Sequence, residues 1–183
     1  DNNGKYIIIL EYAKKKSLRK NLYNISQMDW KKKLILLHCI TSDLQIIHSH
    51  GYIHRDLHSG NILQDNLHSA YISDLGLSIL NSEKKKIGVS GILPYVSPEV
   101  LGGSQYATAS DVYSFGIIMW EILYGSPVFY DRKLRMQELQ IQICCSDLRP
   151  PINKEAPRSC VNLMKECWDN DPKKRPSAEK LCE

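Results

Sequence analysis

An α+β fold, mostly helical and with its β structure confined to short hairpins, is expected from three patterns in the 183 residues. Trp30, Leu34, Leu37, Ile40, Leu44 and Ile47 recur at three- and four-residue steps, the period of an amphipathic helix of about five turns. From Asp111 to Leu123 the chain is apolar nearly all round, which describes a helix buried on every side. Tyr52-Ile53, Ile62-Leu63 and Tyr71-Ile72 are apolar pieces too short for helices and separated by turn-forming residues, the pattern of short strands and hairpins.

The length suits one domain, and 43% apolar content is enough for a core. No window approaches the roughly 18 apolar residues of a membrane span, and Asp1-Asn2-Asn3-Gly4 has no signal-peptide architecture. A soluble, cytoplasmic protein is expected. The cysteines at 39, 144, 145, 160, 167 and 182 show no C-x-x-C spacing, so reduced, mostly buried thiols are expected rather than disulfides or zinc. The formal charge is +4, with lysine runs at 14–16, 31–33 and 84–86. Without interleaved aromatics these runs read as solvated surface, not as a nucleic-acid site.

In chain order, Asn2-Asn3-Gly4 is a turn and Tyr6 to Leu10 a strand. A short helix follows from Ser17 as N-cap to Tyr23, and the long helix opens on Asp29 and ends near His48. Ile62-Leu63 and Tyr71-Ile72 form a hairpin around Asp65-Asn66. Gly125-Ser126-Pro127 ends the apolar helix. Met136–Ile143 and Cys160–Trp168 form two more, and the chain ends within a last helix. His38, His48 and His50 have no ligand-spaced partners and are expected to be ordinary packed or surface histidines. No internal repeat is present.

Chemistry concentrates in three runs in a fixed order: His54-Arg55-Asp56-Leu57-His58-Ser59-Gly60-Asn61, then Asp74-Leu75-Gly76, then Ser97-Pro98-Glu99. The pattern H-R-D-L-x-x-x-N, D-[FL]-G, [AS]-P-E resembles the catalytic loop, metal-binding turn and activation-segment end of eukaryotic protein kinases. The resemblance implies ATP and Mg²⁺ as cofactors and a protein as substrate. It makes Asp56 the residue that accepts or orients the substrate hydroxyl, Asn61 and Asp74 the Mg²⁺ ligands, and Arg55 the docking point for a phosphate on the activation segment. Ser90 is the first candidate to carry that phosphate. By the same resemblance Glu11-Tyr12-Ala13 is the hinge. Leu10 borders the adenine pocket, the backbone at Glu11 and Ala13 bonds the adenine edge, and Leu63 forms the pocket's apolar floor. His54 is expected to pack against Leu75, Asp111 to support the catalytic loop, and Glu99 to pair with Arg175. Lys84-Lys85-Lys86, inside the activation segment, could favour acidic substrates.

The resemblance covers residues 1–13 as the last strand of the smaller lobe plus hinge, and 14–183 as the larger, helical lobe. No Gly-rich loop, phosphate-gripping Lys or helix Glu precedes Asp1. The sequence therefore reads as a fragment of a full kinase or as a natural truncation, and the isolated chain is expected to have little activity. Where serine/threonine kinases place Lys after the catalytic Asp, His58 stands, and the usual Thr of G-T-x-x-Y is Ile92 in Gly91-Ile92-Leu93-Pro94-Tyr95. The nearest likeness is to tyrosine-kinase-like serine/threonine kinases of fungal type, whose loops carry similar H-S-G-N runs. Two functions are carried forward: a protein kinase acting on Ser/Thr, and a non-catalytic kinase-like module that binds proteins. Oligomeric state is not legible.

Overall fold

The computed structural model describes residues 11–82, 88–130, 135–152 and 156–183. The strand expected at Tyr6–Leu10 lies outside them, as do Leu10 and Lys84–Lys86.

The fold is organised around α4 (Thr108–Tyr124), in which every residue from Ser110 to Ile122 is buried. That is the all-round burial its composition requires. Against it pack α1 (Leu18–Ser26), α2 (Trp30–Ser49) and α6 (Arg158–Cys167). Helix α6 crosses at Gly116, where an added Cβ would sit 2.8 Å from the Cys167 Cβ. At the end of α4, Gly125 has φ +75° and a side chain there would collide with Ser26, so glycine both stops the helix and admits the end of α1.

Helix α1 buries Leu18, Leu22 and Ile25, the i, i+4, i+7 face. Helix α2 starts as expected, with the Asp29 carboxylate accepting the Lys32 N–H at 3.0 Å. Its buried face differs from the expected stripe: Leu36, Leu37, Ile40, Thr41, Leu44 and Lys33 are buried, while Leu34 is 50% exposed. The stripe is rotated because Lys33 buries its aliphatic stem, placing its ammonium 5.0 Å over the Trp30 ring and 2.7 Å from the Ser26 carbonyl that ends α1. Leu34 instead lines a surface recess with His38, Phe115 and Leu181.

Two antiparallel ribbons flank residues 54–61. Strand β1 (Tyr52–Ile53) pairs with β4 (Ile79–Leu80), and β2 (Ile62–Leu63) pairs with β3 (Tyr71–Ile72) in the register Ile62↔Ile72. Strand β4, another two-residue piece, was not anticipated. Beyond the ribbons, α3 (Pro98–Leu101) and α5 (Met136–Cys145) share a small cluster of Val96, Val100, Leu101, Leu139 and Ile143. Helix α7 (Ala178–Cys182) closes onto α2.

All six cysteines are free; Cys160 and Cys167 are buried and Cys145 is exposed. No described helix is long and apolar enough to cross a membrane.

Candidate active site

The loop from His54 to Asn61 is held from below by one carboxylate. Asp111, 1% exposed, accepts the backbone N–H of Arg55 at 2.9 Å on Oδ1 and that of His54 at 2.8 Å on Oδ2, and Oδ2 also meets His48 Nε2 at 2.9 Å. These charge-assisted bonds hold a turn in which Arg55 takes φ +71°, a conformation costly for a residue other than glycine and stable only where its surroundings impose it. The His54 ring spans the loop: Nδ1 accepts the Asp56 N–H at 3.3 Å, so Nε2 carries the proton and donates to the Ser73 carbonyl at 3.0 Å. His54 is fully buried, whereas Leu75, its expected apolar partner, is 55% exposed and lines a surface recess with Ile46, Ile47 and Tyr52.

Asp56 is placed by its neighbours. Asn61 Nδ2 donates to the Asp56 carbonyl at 3.0 Å and to Oδ2 at 3.2 Å. The other carboxylate oxygen, Oδ1, is buried without a hydrogen-bond partner and faces His58 Nε2 at 3.7 Å. His58 Nδ1 accepts the Gly60 N–H at 2.9 Å, so the proton sits on Nε2, toward Asp56. Burial, ahead of every other influence, pushes the His58 imidazole below its ordinary value, which favours the neutral ring. Gly91 closes over the same oxygen. With φ +98°, its missing Cβ would lie 3.2 Å from Asp56 Oδ1, so a side chain there would crowd the carboxylate.

Asp74 stands next to Asn61 because Ser73 donates both its N–H and its hydroxyl to the Asn61 carbonyl, each at 2.8 Å. It adopts φ +63°, is exposed, and spends Oδ1 on the Gly76 N–H at 3.3 Å. Oδ2 of Asp74 and Oδ1 of Asn61 have no protein donor among the described residues. Two hard oxygens open to solvent fit a Mg²⁺ ion that takes its remaining ligands from phosphate oxygens and water. They do not fit a closed protein cage, and no group of three or more His, Cys, Asp or Glu able to hold a metal occurs among the described residues.

Of the residues expected around adenine, Ala13 is buried, Glu11 exposed and Leu63 half-buried. Residues 15–17 run along β2: Ser17 bridges Leu63, and Lys15 and Lys16 exchange backbone bonds with Gln64 at 2.9 Å each. The strip after Ala13 is thereby tied to the strand bearing Leu63 by an isolated β-bridge and two backbone bonds.

The Arg55 side chain leaves the loop toward the segment before Ser97-Pro98-Glu99. Its Nη1 donates to the Leu77 carbonyl and its Nη2 to Ser90 Oγ, both at 3.0 Å, while Nε is buried without a partner. The guanidinium lies 4.8 Å over the Tyr106 ring, and the Tyr106 hydroxyl bonds both N–H and carbonyl of Ser90. Sequence reasoning missed Tyr106, an isolated tyrosine without a pattern.

It also missed Glu121, fully buried in α4, whose Oε1 accepts the Tyr95 hydroxyl at 2.6 Å and the Val128 N–H at 2.9 Å. Ser59 Oγ meets the same Tyr95 hydroxyl at 3.2 Å, joining the loop to the helix beneath. Burial pushes both the Tyr95 hydroxyl and the Glu121 carboxyl upward. The available signal was a lone acid between Trp120 and Ile122, since a charge inside an all-apolar helix has to be a bonded hub.

Comparison with known proteins bears on the chain's family. The family model described as protein kinase domain matches residues 1–183. A probable serine/threonine-protein kinase of Dictyostelium discoideum is 35% identical over 98% of the chain. The protein kinase and PP2C-like domain-containing protein of Arabidopsis thaliana is 30% identical over 81%, and the dual specificity protein kinase shkC of Dictyostelium discoideum 34% identical over 71%. The matches span 17%, 27% and 26% of those relatives' own lengths.

Proposed function

Because this chain belongs to the protein kinase domain family, we propose that the protein carrying it transfers the γ-phosphoryl group of ATP to serine and threonine hydroxyls of protein substrates. The observation that carries this reading is the convergence of Asp56, Asn61 and Asp74 on one loop system anchored by Asp111. Asp56 orients and deprotonates the acceptor hydroxyl; Asn61 fixes the Asp56 carboxylate and, with Asp74, would hold Mg²⁺, whose charge would offset that of the triphosphate. Ala13, Glu11, Leu10 and Leu63 are assigned to adenine. The neutral Nε2–H of His58 faces, at 3.7 Å, the Asp56 oxygen that has no hydrogen-bond partner among the described residues.

Serine and threonine are preferred over tyrosine on the strength of the relatives named serine/threonine kinases. The His58-to-Asn61 run supports placement among tyrosine-kinase-like serine/threonine kinases of fungal type. The helix-rich architecture supports reading 14–183 as the larger lobe, joined to the smaller one through 11–13. Arg55 is assigned to receive a phosphate on Ser90, since Nη2 already reaches that hydroxyl and the buried Nε lacks an acceptor. The six free thiols support a cytoplasmic setting.

Replacing Asp74 with Asn tests the metal assignment in the full-length protein. Mg²⁺-dependent ATP affinity, measured by calorimetry, is expected to fall by more than the roughly 10–100-fold typical of losing an outer-shell partner. Unchanged affinity removes Asp74 from the site.

A further inference from the structure

Beside the candidate site lies a concentration of positive charge that phosphoryl transfer itself does not use. Lys14, Lys15, Lys16, Arg19 and Lys20 are all exposed, and none forms an ion pair with a carboxylate within 4.0 Å among the described residues. The strip is tied to the loop by backbone: Arg19 N–H donates to the Ser59 carbonyl and Lys15 N–H to the Gln64 carbonyl, each at 2.9 Å. Ser59 is three residues from Asp56, so the Arg19 end of the rim joins the loop within about 10 Å of extended chain from Asp56.

Its location is unfavourable for the helix that bears it. The first turn of α1 holds no acid, and the Ser17 side chain makes no cap bond, while Arg19 and Lys20 set cations where the helix dipole disfavours them. The charge also reaches the site. His58, Tyr95 and Glu121 are shifted chiefly by burial, and Arg19 is a further contributor to each. Glu121 cannot neutralise the rim, being fully buried and bonded to Tyr95 and Val128.

We infer that the rim formed by residues 14–20 selects protein substrates with Asp or Glu close to the phosphoacceptor, an inference that rests on the kinase reading above. An extended peptide advances about 3.3 Å per residue, so the acids fall about two to four positions from the acceptor. An acidic peptide is favoured over other polyanions because the strip is continuous with the loop carrying Asp56.

The test uses the full-length protein and serine peptides differing only in flanking residues: acidic, neutral or basic. Each rim pair contributes a modest surface attraction, about threefold in kcat/KM, so two or more acids are expected to give about a tenfold preference that fades as salt rises. The charge reversal Arg19→Glu with Lys20→Glu leaves Lys14, Lys15 and Lys16 against two new carboxylates and is expected to erase most of that preference. Equal kcat/KM across the set, or a ranking indifferent to the double reversal, overturns the inference and leaves the kinase reading standing. Retention of the protein on RNA or phosphatidylserine vesicles without discrimination among peptides also overturns it, assigning the rim to another polyanion. Absence of transfer to every peptide overturns the kinase reading, and this inference with it.

Discussion

Arg175→Leu is expected to lower stability by about 3–5 kcal/mol, the cost of stranding one half of a buried ion pair. Arg175 has a side chain with 0% exposure, and its fork is fully employed. Nη1 and Nη2 each bond one oxygen of Glu99 at 2.7 Å, Nη1 also bonds the Ala109 carbonyl at 2.9 Å, and Nε bonds the Asp169 carbonyl at 2.8 Å. Leucine leaves the Glu99 carboxylate and the Asp169 carbonyl without these donors, whereas the Ala109 carbonyl loses one bond but stays within α4. Lysine restores charge but cannot present a planar fork, so Arg175→Lys is expected to fall between leucine and the native residue. The double change Glu99→Leu with Arg175→Leu should recover only part of the loss, because the Asp169 carbonyl stays without its donor. Urea unfolding followed by tryptophan fluorescence measures this, Trp120 and Trp168 being buried near the pair's elements.

The pair also sets a pH dependence. Burial alone would raise the Glu99 carboxyl, but the bonds and charge of Arg175 outweigh it and hold the group below its ordinary value of 4.5. The unfolded chain therefore binds more protons than the folded one in this range, and stability rises with pH. The contribution is complete above about pH 4.5 and is lost as pH falls through the depressed folded value. In Arg175→Leu this acid limb should flatten; an unchanged limb would mean the pair does not supply it.

Asp56→Asn is expected to reduce kcat by about 10²–10⁴-fold, the range for a lost general base, with little change in ATP affinity. Asparagine is isosteric and can still accept from Asn61 through its carbonyl oxygen, so the loop keeps its shape while the basic oxygen is gone. Its amide nitrogen has no lone pair for a substrate proton. A fall in ATP affinity as large as the fall in kcat would instead show that Asp56 acts through loop structure.

Much of this was legible because the informative residues carry patterns. The Asp29 cap, the all-apolar α4 and the hairpin around Asp65-Asn66 follow from local rules, whereas Ser17 precedes α1 without a side-chain cap bond, and the order of the three polar runs pointed to the family. Asp111 and the Glu99–Arg175 pair were readable through that resemblance and are present in the geometry. What escaped had no local signature. Burial of Lys33 depends on where α1 happens to end. Tyr106 acquires its place only when Ser90 is folded back over Arg55. Leu75 has alternation and composition typical of a buried residue, yet it faces a recess, because exposure at a turn is settled by tertiary packing.

The most direct test of the central reading is mass-spectrometric mapping of phosphate transferred from ATP to a protein substrate, with native and Asp56→Asn full-length proteins assayed side by side. The account predicts Mg²⁺-dependent modification of serine or threonine by the native protein and its near-disappearance in the variant. Equal incorporation by both, or none by a native protein that binds ATP, would contradict it, the latter in favour of a kinase-like module that binds partners without catalysis.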